Sequence, residues 1–290
     1  MRKFKRLLHR VATIHHEKSL KVQLPDDIVF YVLQYLESEF ILRVCLFISK
    51  QFLQQSLEIQ KSLNFSDRDS FNEPSLISFV NCKYIQNLTI LNLSSNKLRV
   101  EGARLISQCN ALNRLTMLDV SNNGIEFEGA NHLSHSEHLS NLTELNLAMN
   151  MIGVLGLRAI VNSPTMKRLR VLNINCNYIF GAGLKSVGSS ENMNNLTDLN
   201  MSTNIIGNKG LLALKSECPY LCHLTRFNLT NCEIGNEGAK CLAQSIKDGV
   251  LTNLKKLFVG FNFIEKEGAQ ALQSCTHLSV LDFSGNNIEA

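Results

Sequence analysis

Residues 115–133 read LTMLDVSNNGIEFEGANHL, and residues 88–106, one period earlier, read LTILNLSSNKLRVEGARLI. In each, apolar residues alternate over the first six positions: Leu115, Leu118 and Val120 in one, Leu88, Leu91 and Leu93 in the other. That period of two predicts a short strand with positions four and six pointing inward and three and five outward. An asparagine follows at position nine (Asn123, Asn96), then Ile125 or Leu98, then Gly-Ala and a further apolar residue at helical spacing (Leu133, Ile106). One such strand-turn-helix unit cannot bury its apolar side alone, but stacked units share a continuous core.

The unit recurs with first leucines at Leu88, Leu115, Leu142, Leu169, Leu196, Leu224, Leu254 and Leu278, spaced by 27, 27, 27, 27, 28, 30 and 24 residues. Position nine is Asn96, Asn123, Asn150, Asn177, Asn204, Asn262 and Asn286, and a buried carboxamide there is expected to satisfy the turning backbone of neighbouring units. Cys232 breaks this series, so a local irregularity is expected at that unit. The glycines at 102, 129, 156, 183, 210, 238 and 268 are expected to allow close approach at the strand-to-helix turn.

Over residues 88–290 this pattern resembles the leucine-rich repeat, and its Gly-Ala element is similar to the ribonuclease-inhibitor-like and GALA-type subclasses. The resemblance implies an α/β horseshoe solenoid with a parallel sheet on the concave face and helices on the convex face. The repeat domain is drawn at 60–290. It opens with a degenerate repeat at 60–87 that has Leu63 and Phe65 at inward positions and Arg68 in place of asparagine. Eight repeats follow from 88, and the last, LDFSGNNIEA, stops before its glycine and helix, which fits a fragment or a frayed end.

Outward strand positions form the expected binding face. Position five runs Asn92, Asp119, Asn146, Asn173, Asn200, Asn228, Phe258 and Asp282, a polar column broken by one phenylalanine. Arg226, Lys255, Lys256, Phe258 and Phe261 cluster in the sixth and seventh repeats. Arginine and aromatic residues are enriched at binding hot spots, so these five are the candidate partner-binding residues.

Ahead of the repeats, residues 24–36 read LPDDIVFYVLQYL. Pro25 suits the first position of a helix and Asp26 and Asp27 its positive end, and apolar residues cover more than one helix face. With segments at 40–48 and 49–59 this makes about three short helices, too small a unit to hold together alone. The run Leu24, Pro25, Asp26, Asp27, Ile28, Val32, Tyr35, Leu36, Leu42, Arg43, Ser49, Lys50 and Phe52 resembles the F-box, with one extra residue near Phe47–Ile48. The resemblance makes residues 22–59 a small three-helix F-box-like segment docking on a Skp-type linker, and through it a cullin. Leu24, Pro25, Ile28, Val32 and Leu36 would then contribute to the linker-binding surface. The whole chain is expected to be the substrate-recognition subunit of an SCF-type ubiquitin ligase. The alternatives are a repeat scaffold or inhibitor with 24–59 as a plain cap, or a small-GTPase regulator.

Other functions find little support in the residues. Net charge is +4, yet Arg2, Lys3, Lys5, Arg6 and Arg10 account for five charges, so the remainder stands at −1 and has no bulk pull toward nucleic acid or membrane. Residues 1–21 read as a basic, disordered leader. The longest greasy run, 40–48, is too short to span a bilayer. Nine cysteines without a secretory signal point to reduced thiols in the cytoplasm or nucleus. The Cys218/Cys222/His223 group lacks a second ligand pair, and His132, His135 and His138 are read as surface residues rather than a metal site. The N-L-T sequons at Asn87, Asn141 and Asn195 follow from the repeat consensus. No phosphate loop, zinc-protease motif or nucleophile elbow occurs, so no catalytic residue, cofactor or metal is assigned.

Overall fold

The computed structural model describes residues 61–67, 73–215 and 217–288. The leader and the F-box-like segment, with Leu24, Pro25, Ile28, Val32 and Leu36, lie outside them, as does Arg68. Nine strands stack in chain order into one parallel sheet: β1 (Lys61–Asn64), β2 (Leu88–Asn92), β3 (Met117–Asp119), β4 (Glu144–Asn146), β5 (Val171–Asn173), β6 (Asp198–Asn200), β7 (Arg226–Asn228), β8 (Lys256–Phe258) and β9 (Val280–Asp282). Helices follow the first eight: α1 (Glu73–Val80), α2 (Arg99–Ser107), α3 (Glu126–Ser134), α4 (Gly153–Val161), α5 (Gly181–Gly188), α6 (Gly207–Leu211), α7 (Asn236–Lys247) and α8 (Lys266–Gln273). The degenerate first repeat is thus a full member of the stack: Leu63 is buried and Phe65 packs edge-on against Phe79 at 5.7 Å.

Register is constant from β2 onward, so each outward position becomes a straight column. Beneath it, the position-one, four and six residues of β2 to β8 are buried, and each fully buried leucine contributes roughly 1.5–3 kcal/mol. The motif glycines sit inside the first helical turn rather than in the turn before it. A Cβ at Gly129 would lie 2.9 Å from the Ile125 Cβ and 3.1 Å from that of Ala103, so the glycine lets adjacent helices close up.

Three side-chain ladders hold the repeats together. In the first, Asn150 Nδ2 donates to the carbonyls of Val120, Leu147 and Ala148, while its Oδ1 accepts from the amides of Asn123 and Ile125. Asn123, Asn177, Asn204 and Asn262 make parallel sets. In the second, the Thr116, Thr143, Thr197 and Thr225 hydroxyls donate to the carbonyl one repeat earlier at 3.0–3.1 Å. Asn141 and Asn195 do the same from the other end of the N-L-T motif, at 2.7 and 2.9 Å. The sequon therefore recurs because both of its polar residues bridge repeats. The third ladder, at the helix exits, is unannounced by the sequence: Cys109, Ser136 and Ser190 donate to the carbonyls of Val80, Ser107 and Val161.

At Cys232 the asparagine ladder breaks as expected. The thiol donates to the Met201 carbonyl at 3.3 Å, but it offers no counterpart of the carboxamide oxygen. The Ile206 amide turns to the Asn204 carbonyl at 3.1 Å instead, and the helix that follows, α6, spans only five residues before tightening into a 3-10 turn.

Candidate interaction surface

The polar column at position five has a structural job. Asn64, Asn92, Asp119, Asn146, Asn173, Asn200, Asn228 and Asp282 each accept, through a side-chain oxygen, the backbone N–H two residues on, at 2.9–3.1 Å. This local turn ends the strand. The display face read from the sequence is thus partly a row of strand stops. Phe258 is the exception among the described repeats, since its side chain has no acceptor.

Phe258 is not bare. The Arg226 guanidinium lies 5.0 Å from the centre of its ring and 3.2 Å from the Asp198 carboxylate, so Asp198, Arg226 and Phe258 form a chain across β6, β7 and β8. Arg226 is still partly exposed, and the pair adds little to stability at that exposure. Lys255 and Lys256 are exposed beside it at the start of β8. Phe261 belongs to a different surface. It lies on the loop after β8, 64 % exposed, with left-handed backbone (φ 52°) and its ring against Gly285 of the next repeat, where a Cβ would come within 2.7 Å. Four of the five candidates therefore share the sheet face, and Phe261 stands on the rim.

That rim carries side chains the sequence reading passed over. The residues at positions eight and ten include Met149, Met151 and Tyr178, all left-handed (φ 56–57°) and more than half exposed, with Phe180 and Phe263 further along. The conformation costs an L-residue about 1–2 kcal/mol, and pairing between repeats imposes it: the Met149 amide donates to the Asn175 carbonyl as Asn122 does to Ala148. Met149, Met151 and Tyr178 line an open groove of about 780 Å3 together with Lys97, Arg99 and Glu126. The signal was present in the sequence as methionine and tyrosine at positions where the first two repeats carry Ser95, Asn122, Lys97 and Gly124.

Among the described residues no group of three or more His, Cys, Asp or Glu is placed to hold a metal. His135 Nδ1 lies 2.9 Å from the Asn131 carbonyl of its own helix. Cys218 is buried against Gly188, and burial pushes its thiol up to about 12, as it does for Cys232, so neither is a nucleophile at neutral pH. The eight described cysteines are free thiols. Among the described residues no helix is long and apolar enough to cross a membrane.

A family model for the leucine-rich repeat matches residues 84–107, 138–161, 192–215, 220–243 and 274–290. No curated protein matches the chain. Among solved structures it is similar to the crystal structure of the TLR13–ssRNA13 complex, at 17% identity and a TM-score of 0.45, over 73% of this chain. It spans 31% of that longer chain. Period, register, side-chain ladders and the matched segments agree: the chain carries leucine-rich repeats folded as an α/β solenoid, a protein–protein interaction fold.

Proposed function

We propose that this protein is the substrate-recognition subunit of an SCF-type cullin-RING ubiquitin ligase. The observation that carries the reading is one of sequence order: an F-box-like motif at residues 24–52 stands directly ahead of a leucine-rich-repeat solenoid. In this reading the motif docks on a Skp-type linker, with Leu24, Pro25, Ile28, Val32 and Leu36 in the interface, and the linker joins the chain to a cullin. The repeats hold a protein substrate. Transfer of ubiquitin is then accelerated by proximity to the conjugating enzyme, with no chemistry supplied by the receptor itself. A segment whose sequence would be apolar on more than one helix face fits a buried protein interface, whose core is depleted of charge.

The test is a calorimetric titration of the full chain with a purified Skp-type linker, beside a Leu24→Ala/Pro25→Ala variant whose fold is checked by circular dichroism. Saturable binding by the wild type that is lost in the folded variant supports the ligase reading. A folded wild-type chain that does not bind the linker leaves an interaction scaffold and removes the ligase from the account.

A further inference from the structure

The residues that lead into each strand form one edge of the sheet, and their charge is one-sided. From two before each first leucine to one after it they read QNLT, NRLT, SNLT, KRLR, NNLT, CHLT, TNLK and THLS, without a single Asp or Glu. Backbone hydrogen bonds align them: Arg170 donates to the Thr143 carbonyl at 2.8 Å, Thr197 to Arg170 at 2.9 Å, Thr225 to Thr197 at 2.8 Å and Lys255 to Thr225 at 2.9 Å. The threonine hydroxyls in this row donate to the preceding carbonyls and are thus already engaged within the stack.

Arg114, Lys167, Arg168, Arg170, Lys255 and, one position inward, Lys256 are all exposed. Among the described residues none of the six has a carboxylate within ion-pair distance, whereas Arg226 is already held by Asp198. Of the acids on the sheet face, Glu144 and Asp198 share the column of Lys256, with Asp198 already held by Arg226, and Asp119 and Asp282 lie two positions further in. An anionic chain crossing the middle of the sheet would meet them, whereas the edge segments themselves carry charge of one sign. The strip is local, because residues beyond the first ten carry a net charge of only −1.

We propose that this edge binds an extended, Asp/Glu-rich stretch of a protein partner. The inference deepens the reading that the repeats hold a protein substrate and rests on it. Three strand spacings separate Arg170 from Lys255, roughly 14 Å at about 4.8 Å per strand, which about four residues of extended peptide cover. A peptide is favoured over single-stranded nucleic acid because the eight edge segments contain no Phe, Tyr or Trp on which bases would stack.

The experiment is fluorescence anisotropy of a labelled Glu/Asp-rich peptide with the full chain, at low and high salt. The charge reversals Lys167→Glu/Arg168→Glu/Arg170→Glu and Lys255→Glu/Lys256→Glu test the edge. Lys215→Glu/Lys247→Glu/Lys266→Glu, exposed on the helix side, is the control. Binding is expected to weaken with salt, by about tenfold in the edge variants, and to hold within about twofold in the control. No binding at low salt, equal loss in the control, or displacement of the peptide by a lower concentration of single-stranded nucleic acid overturns the proposal. Linker titration of the same variants keeps the two readings apart. Edge-dependent peptide binding without linker binding retains the edge and discards the ligase, and linker binding without peptide binding does the reverse.

Discussion

The repeats of β2 to β4 and those of β7 and β8 share the same strand but enter their helices differently. In the first group the entry residues Arg99, Glu126 and Gly153 are left-handed, and their amides donate to the carbonyls of Asn123, Asn150 and Asn177 at 2.9–3.0 Å. In the second group Gly235 and Glu265 are extended, and they bridge to Phe263 and Asn287 of the next repeat. Their helix-entry amides go to side chains instead: Asn208 Oδ1 accepts from Gly235 and Gly238, and Asn236 Oδ1 from Glu265 and Gly268. Between the two groups the forms alternate: Phe180 of the β5 repeat is extended and bridges to Ile205, while Gly207 of the β6 repeat is left-handed and its amide donates to the Cys232 carbonyl at 2.9 Å. One solenoid thus satisfies the same unpaired helix-entry donors in two ways, and the 30-residue repeat carries the longest helix among the described residues, the twelve-residue α7.

The largest effect is expected at Asn150. Its five hydrogen bonds are buried, and Asn150→Ala leaves amides and carbonyls unpaired, so a loss of about 3 kcal/mol or more is expected in urea unfolding. A loss below about 1 kcal/mol would mean that the ladder does not hold the early repeats.

Lys61 tests the leucine column at its first rung, since it pairs in register with Leu88 and is 1 % exposed. Burial pushes its ammonium down from 10.5 to about 8, with Cys82 opposing. The unfolded chain therefore holds that proton at pH values where the folded chain has released it, and stability from this group rises with pH from about 8 to 10.5. Lys61→Met removes the term, so its stability advantage over the wild type should shrink by roughly 1–3 kcal/mol as pH rises across that window. An advantage that is flat with pH contradicts the burial of the charge.

A smaller effect is expected at Asn236→Ala, which removes a cap supplied by one repeat to the next helix and should cost about 1 kcal/mol. Hydrogen exchange at the Glu265 and Gly268 amides should rise with it, and unchanged exchange would show that the later repeats do not depend on this device. The comparison sharpens from the other side with Cys232→Asn, which supplies the missing carboxamide to the Asn204–Ile206 turn. A gain of about 1 kcal/mol is expected, and a loss would place the irregularity of α6 in its own sequence rather than in Cys232.

The fold was legible because period-two leucines and a fixed repeat distance leave few other solutions, and the asparagine ladder could be read from a carboxamide that had to be buried. The rest depended on what side chains do to backbone two residues or one repeat away. The position-five asparagines look like a display and end strands. Cys109, Ser136 and Ser190 look like loop residues and bridge helix exits. Phe258 reads as exposed, yet Arg226 lies over it, and Phe261, grouped with it in sequence, stands on the rim at the left-handed eighth position of its repeat. The edge charges were scattered in sequence at 114, 167, 168, 170 and 255, and only the register lines them up.

Residues that hold the stack together, such as the asparagines, are thus distinct from the exposed edge cations proposed to bind a partner. The most direct measurement takes both readouts, urea stability and acidic-peptide affinity, for Asn200→Ala and for Lys167→Glu/Arg168→Glu/Arg170→Glu. The account predicts that Asn200→Ala loses stability and keeps affinity, because its oxygen accepts from the Ser202 amide and hydroxyl at 3.0 and 2.7 Å. The charge reversal should keep stability and lose affinity. A stable Asn200→Ala variant that no longer binds, or a charge reversal that unfolds the chain, would contradict it.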